Sequence, residues 1–258
     1  MPNATRTFPP DIAPTITQAN LFAGLREALS GVFGTPPLKS FTSGTDQIAV
    51  WQIVNDASRA FGSIFYRLRV TAALAVTQLI GSGFTDATNA IANPSADTHN
   101  LTYLSGVAIR MQGFSTPEYK FLSIIQGTSQ QLLGGFRPPE APAYEESGFP
   151  RFFIGQNADF TNVVSSSLTP YVSGLTTSLG NGNMAIADTY LQLRSLSQGF
   201  FIWGANSSGI VARSSEDLAS GCCSGLNWGN TFTVPGTTPT ESYFVHRGLA
   251  GSLMFRLS

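Results

Sequence analysis

Few side chains in this sequence have the type and spacing to do chemistry. The two histidines, His99 and His246, are the candidates for a general base. A Ser–His–acid centre would set one of them beside an activated serine, and the G-x-S-x-G elbow that presents such a serine does not occur. His99 stands in a polar stretch, and His246 reads as a strand residue satisfied by a neighbour. Cys222 and Cys223 are adjacent, with no second Cys pair and no His at ligand spacing, so tetrahedral zinc is not expected. Reactive vicinal thiols are the alternative. Neighbouring Cα atoms lie about 3.8 Å apart, which is short for a disulfide, so no disulfide framework is expected, in keeping with folding in a reducing cytosol. The Asn-x-Ser/Thr triplets at Asn3, Asn100 and Asn206 are then chance matches.

Residues 180–185, GNGNMA, match G-x-G-x-x-A. A dinucleotide site needs that pattern after a strand, before a helix and upstream of an acid. Here a Ser/Thr-rich loop precedes it and a strand follows, so it reads as a turn. Glu145–Glu146 and Glu216–Asp217 are adjacent acids. On a strand, neighbours point to opposite faces, which is wrong for paired-carboxylate catalysis. The sequence therefore predicts no catalytic, metal-binding or cofactor-binding residue. Aromatic stacking on a sugar is a further option. Trp51 and Trp203 lie in apolar strands and read as core, whereas Trp228, in SGLNWGNTF, reads as an exposed contact residue.

The elements that position these groups are mostly strands. Residues 1–14 are Pro-rich and extended. Residues 17–32 form the one convincing helix, with an apolar stripe of Leu21, Phe22, Leu25, Ala28, Leu29, Val32 and Phe33 at helical spacing. Thr17 can cap it, and Gly31, Gly34 and Pro36–Pro37 stop it. The stripe either packs on the chain's own sheet or docks on a neighbouring subunit. On the second reading Leu21, Phe22, Leu25 and Leu29 are interaction residues, together with Trp228.

Strands are predicted at 48–54, 63–70, 72–80 and 105–114, rich in Val, Ile, Phe and Tyr. Ile64, Tyr66, Leu68 and Val70 alternate with Phe65, Arg67 and Arg69, as in a strand with one buried face. The two arginines read as a solvated or interfacial face, not a phosphate track. A long polar loop is expected at 81–100. Residues 121–125 and 132–136 flank a turn at 126–131, which predicts a hairpin, and 200–213 echo it. Residues 138–150 are a Pro- and Glu-rich linker. Weaker strands are expected at 152–154, 161–165 and 171–172, and further strands at 190–194, 231–234, 243–247 and 249–257. The expected fold is mainly β, a β-sandwich or barrel-like architecture with an N-terminal amphipathic helix and extended arm. Its parts are 1–37 (arm and helix), 38–137 (β domain), 138–150 (linker) and 151–258, a second β-rich region that could belong to the same domain.

Composition says what the surface meets. At 258 residues the chain can bury roughly 70–75% of its unfolded surface. Only 11% of residues are charged, against about 25% in an ordinary domain. Lys occurs only at Lys39 and Lys120, and the other 12 basic residues are Arg. Interfaces favour Arg and aromatics over Lys and Glu, so the composition suits a subunit held in an assembly. Arg-biased codon usage is the alternative. A net charge of −1 argues against nucleic acid. No apolar run is long enough for a membrane span, and the start lacks the pattern of a secretory signal.

The stretches SIIQGTSQQLLGGFRPP and GFFIWGANSSGIVARSSEDL, joined by uncharged Gly/Ser/Thr-rich connections, resemble structural proteins of tailed bacteriophages from the tail, baseplate or fibre region. The resemblance covers most of the chain and contains no diagnostic motif. It implies a non-catalytic, β-rich subunit of a symmetric virion, folded in the host cytoplasm and meeting copies of itself and other virion proteins. No collagen-like or heptad repeat marks a fibre shaft, so an adaptor, baseplate or capsid decoration subunit is preferred. The alternatives are a receptor- or glycan-binding β module resting on Trp228, with a host surface glycan as partner, and an enzyme using His99 or His246.

Overall fold

A computed structural model describes residues 4–55, 63–95, 97–137, 152–155, 162–164, 175–177, 196–198, 201–203, 210–213, 217–221, 227–234, 240–246 and 252–257. Strand β1 (Thr5–Thr7) precedes helix α1 (Gln18–Phe33). Then come β2 (Lys39–Ser43), β3 (Asp46–Asn55), β4 (Ser63–Val70), β5 (Ala75–Gly81), β6 (Gly83–Thr85), β7 (Ala90–Ala92), β8 (Thr98–Thr102) and β9 (Ile109–Ser115). A hairpin of β10 (Tyr119–Gln126) and β11 (Ser129–Phe136) follows. Beyond it lie β12 (Phe153–Gly155), β13 (Asn162–Val164), β14 (Leu175–Thr177), β15 (Leu196–Gln198), β16 (Phe201–Trp203) and β17 (Ile210–Arg213). The chain ends with β18 (Leu218–Gly221), β19 (Thr231–Val234), β20 (Glu241–Val245) and β21 (Ser252–Arg256).

The molecule is mainly β, as the periodicities predict. A nine-stranded sheet has the order β1-β9-β10-β11-β12-β13-β14-β16-β17. Two five-stranded sheets, β2-β3-β4-β5-β8 and β15-β18-β21-β20-β19, accompany it. Among the described residues none of them closes on itself, so the architecture there is sandwich-like, without a closed barrel. The expected linker, 138–150, lies outside the described residues. Across it the ladder continues, since β11 pairs with β12 through Gly135↔Ile154 and Phe136↔Phe153.

The nine-stranded sheet buries both faces at its centre. Met111, Leu122, Ile124 and Leu133 on one face pack with α1 and with Trp51, Tyr66 and Leu68 of the first small sheet. Phe114, Tyr119, Phe121 and Phe136 on the other pack with Phe244 and Phe255 of the second. The rings of Phe114 and Phe255 stack with centroids 4.5 Å apart. A strand buried on both faces carries apolar residues at successive positions, as β10 does at Phe121, Leu122, Ile124 and Ile125. By contrast β4 alternates buried and half-buried residues without a break, as its sequence predicts.

Helix α1 begins where the sequence places it. Asn20 N–H donates to Thr17 Oγ1 (3.3 Å) and Thr17 N–H to Asn20 Oδ1 (2.7 Å), a reciprocal cap. Gly31 does not end the helix, which runs on to Gly34 at φ +72°. Packing overrides the roughly 1 kcal/mol that a helical glycine costs, because Val32 and Phe33 are buried and Phe33 meets Trp51 and Tyr66 edge-on. Leu21, Phe22, Leu25 and Leu29 lie in the same core. The stripe offered as a docking face is thus covered by the chain's own sheets.

Two further expectations need correction. The polar loop at 81–100 is not irregular: it holds the β6–β7 hairpin and the start of β8. Gly81 permits this, since a Cβ there would lie 2.4 Å from the Ala92 carbonyl oxygen. The turn of the β10–β11 hairpin is also tighter than predicted. Gln126 pairs with Ser129, leaving two turn residues, and Gly127 takes the φ of +60° that the first position requires.

Candidate functional site

The structure gathers three residues that the sequence treats separately. Ser123 lies mid-strand in β10, Trp228 stands before β19, and His246 follows β20. Trp228 Nε1 donates to Ser123 Oγ at 2.7 Å, and Ser123 Oγ lies 2.7 Å from His246 Nδ1. An indole N–H can only donate, so Ser123 Oγ is its acceptor. The serine O–H is then free to donate to Nδ1 whenever the ring proton sits on Nε2. Chain pairing fixes the geometry: Ser123 is held opposite Gln112 and Leu132, and His246 N–H donates to the Leu253 carbonyl at 3.0 Å.

A serine hydroxyl against an imidazole nitrogen is the pairing of nucleophilic catalysis. Ser123 is 0% exposed and His246 3%, so a substrate carbonyl cannot reach the hydroxyl in this conformation. The pair instead bridges two sheets through a polar contact inside an apolar layer. Trp228 carries the junction to the surface. It is half-buried, its edge meets Phe244 at 5.6 Å, and the exposed Arg110 guanidinium stands 5.3 Å from its ring centre. With the N–H engaged and Arg110 over the ring, less of this aromatic face is open for stacking than a free loop tryptophan would offer.

A second polar junction joins the nine-stranded sheet to the first small sheet. Gln78 Oε1 accepts from Tyr66 O–H (2.8 Å) and from Gly134 N–H (3.0 Å), while its Nε2 donates to the Gly155 carbonyl (3.2 Å). Nearby, Tyr103 O–H donates to Gln131 Oε1. Burial raises the Tyr66 and Tyr103 phenols above their ordinary range. The sequence signal for both junctions was a polar residue in a buried strand series, Ser123 in FLSII and Gln78 in AVTQLI.

Other candidates fall elsewhere. His99 is a backbone partner of Thr77 in the β5–β8 ladder. Trp51 is core and donates to Ser30 Oγ at 3.2 Å. Trp203 lies in β16. Cys222, Cys223, Glu145, Glu146, Glu216 and the 180–185 turn lie outside the described residues. Asp217 lies 3.8 Å from Arg256, which also meets Glu241 at 3.1 Å. On the outer face of β4, Asp97 bridges Arg67 (3.0 Å) and Arg69 (2.8 Å). Burial lowers the Arg67 guanidinium from its ordinary value, which the Asp97 charge opposes. These arginines form an ion-paired face.

Among the described residues, four large apolar side chains are exposed: Phe8, Leu38, Leu104 and Val107. Two of them sit on a fixed loop. Gln126 Oε1 accepts from Leu104 N–H (2.9 Å), and its Nε2 donates to the Leu104 (2.7 Å) and Val107 (2.9 Å) carbonyls. Gly106 N–H donates to the Pro14 carbonyl at 2.8 Å. No helix among the described residues is long and apolar enough to cross a membrane. No known protein family matches the chain, and no curated protein matches it.

Proposed function

We propose that the chain is a non-catalytic structural subunit of a phage virion, in the tail, baseplate or adaptor region, that assembles with copies of itself and with other virion proteins. The observation that carries this reading is the loop at 104–107. A buried glutamine clamps it with three hydrogen bonds while Leu104 and Val107 point their side chains at water. Pre-ordered apolar side chains suit a partner surface, because little entropy is lost on docking. A chain with only 11% charged residues supports the same reading.

Sedimentation of the purified chain over a wide concentration range tests it. Self-association is expected, and Leu104→Ser with Val107→Ser should weaken it at least tenfold with an unchanged circular dichroism spectrum. A wild type that stays monomeric throughout, or a double variant that associates as before, would sink the proposal. Assembly in this reading takes place after folding in the host cytoplasm, and the mature location is the virion. A capsid decoration role fits the same surface.

Receptor or glycan binding is the second reading, favoured by the half-exposed Trp228 beside Arg110. Glycan-array signal lost in Arg110→Ala would support it, and a blank wild-type array would remove it.

A further inference from the structure

The N-terminal arm, extended as its prolines predict, is stitched to the body. β1 occupies one edge of the nine-stranded sheet and pairs with β9 through Thr5↔Ser115, Arg6↔Phe114 and Thr7↔Gly113. Its seat is shaped for it. A Cβ on Gly113 would lie 2.1 Å from Thr7 Oγ1 and 2.6 Å from Val32 Cγ2, so that glycine makes a socket that the threonine fills. Arg6 Nε and Nη2 donate to Gln112 Oε1 at 3.1 and 2.5 Å. The guanidinium also lies over Phe8, Phe244 and Phe114, with 4.7, 5.4 and 5.9 Å to the ring centres.

The arm has a weak point. From Thr7↔Gly113 to the Ile12↔Ile109 bridge it uses five residues where β9 uses four. Pro9 and Pro10 stand at that slip, with no N–H to give the ladder. Phe8, immediately before them, is 68% exposed. Three paired residues thus hang beyond a proline hinge, and their contacts are all to groups that every copy of the chain carries.

We propose that the β9 edge is a strand-exchange seat, in which residues 4–7 of a second copy of this chain replace the chain's own and link copies by strand addition. Exchange conserves each of these Arg6 and Thr7 contacts, so its cost is the concentration term alone. Straightening at Pro9–Pro10 carries the strand away from its own body as an extended spacer. Ile12 stays in place, seated where a Cβ on Gly24 would lie 2.7 Å from Ile12 Cδ1. This rests on the reading of the chain as an assembling subunit.

Cross-linking the full chain tests it. With Cys222 and Cys223 changed to Ser, the pair Thr5→Cys and Ser115→Cys is oxidised and run on a non-reducing gel. Disulfides joining chains are expected, and disulfides confined to single chains would overturn the proposal. If neither forms, chains carrying Gly113→Val, with a blocked seat and an intact arm, are mixed with chains lacking residues 1–7, with an open seat, and sedimented. Association of the mixture that neither chain shows alone supports exchange, and its absence rejects it. Oligomers that persist with only intrachain disulfides reject the exchange and leave the subunit reading standing, whereas a monomeric wild type rejects the subunit reading itself.

Discussion

Replacing Gln78 by Leu removes a junction without opening a cavity, because the two side chains are of similar size. Three groups then lose their partner: Tyr66 O–H, Gly134 N–H and the Gly155 carbonyl. Gln78 and Tyr66 are 0% exposed, so water does not replace the amide without rearrangement. Each buried polar group left unsatisfied costs about 1–3 kcal/mol. The Gly155 contact is the longest of the three, at 3.2 Å, and belongs at the low end. The sum expected is roughly 4–6 kcal/mol, a large part of the 5–15 kcal/mol typical of a folded domain. Urea unfolding followed by circular dichroism measures it, and calorimetry should show a fall in Tm of about 8–24 °C for a chain of this length. A double-mutant cycle isolates the cause. Tyr66→Phe alone should cost about 1–2 kcal/mol, but in the Gln78→Leu background it should be neutral or stabilising, since the orphaned hydroxyl is gone. A Gln78→Leu change under about 0.5 kcal/mol, or additive costs in the cycle, would refute the reasoning.

Ser123→Ala should cost about 2–4 kcal/mol by stranding the Trp228 N–H and an imidazole nitrogen, with a shift in tryptophan emission as the spectroscopic check. Thr17→Ala should cost about 1 kcal/mol through loss of the reciprocal cap, read as a lower urea midpoint with an unchanged m-value. Tyr66, Tyr103 and Tyr119 have phenols raised by burial. Folding favours their neutral form, so their contribution is complete below the unfolded phenol value of about 10 and is lost as pH rises above it. Absorbance at alkaline pH should show these three ionising only together with unfolding, and a smooth titration of all seven tyrosines near pH 10 in the folded chain would contradict the burial.

Local rules made much of this protein legible in advance. The spacing of Leu21, Leu25, Leu29 and Val32 fixes the helix, and Thr17 and Gly34 bound it, because capping and periodicity act within one or two turns. The alternation through Ile64, Tyr66 and Leu68 gives β4 to the residue for the same reason. Tertiary structure alone decided what those faces meet. An apolar stripe is the same string of residues whether it covers a neighbour or its own core, and only the sheets around α1 settle it for the core. Ser123, Trp228 and His246 lie far apart in the chain, and no local pattern reports that 2.7 Å separates the Ser123 oxygen from each of its two partners. The arm shows the same limit. Its prolines announce an extended segment, but the socket at Gly113 exists only because β9 and Val32 of α1 meet there, and non-local pairing leaves no local trace.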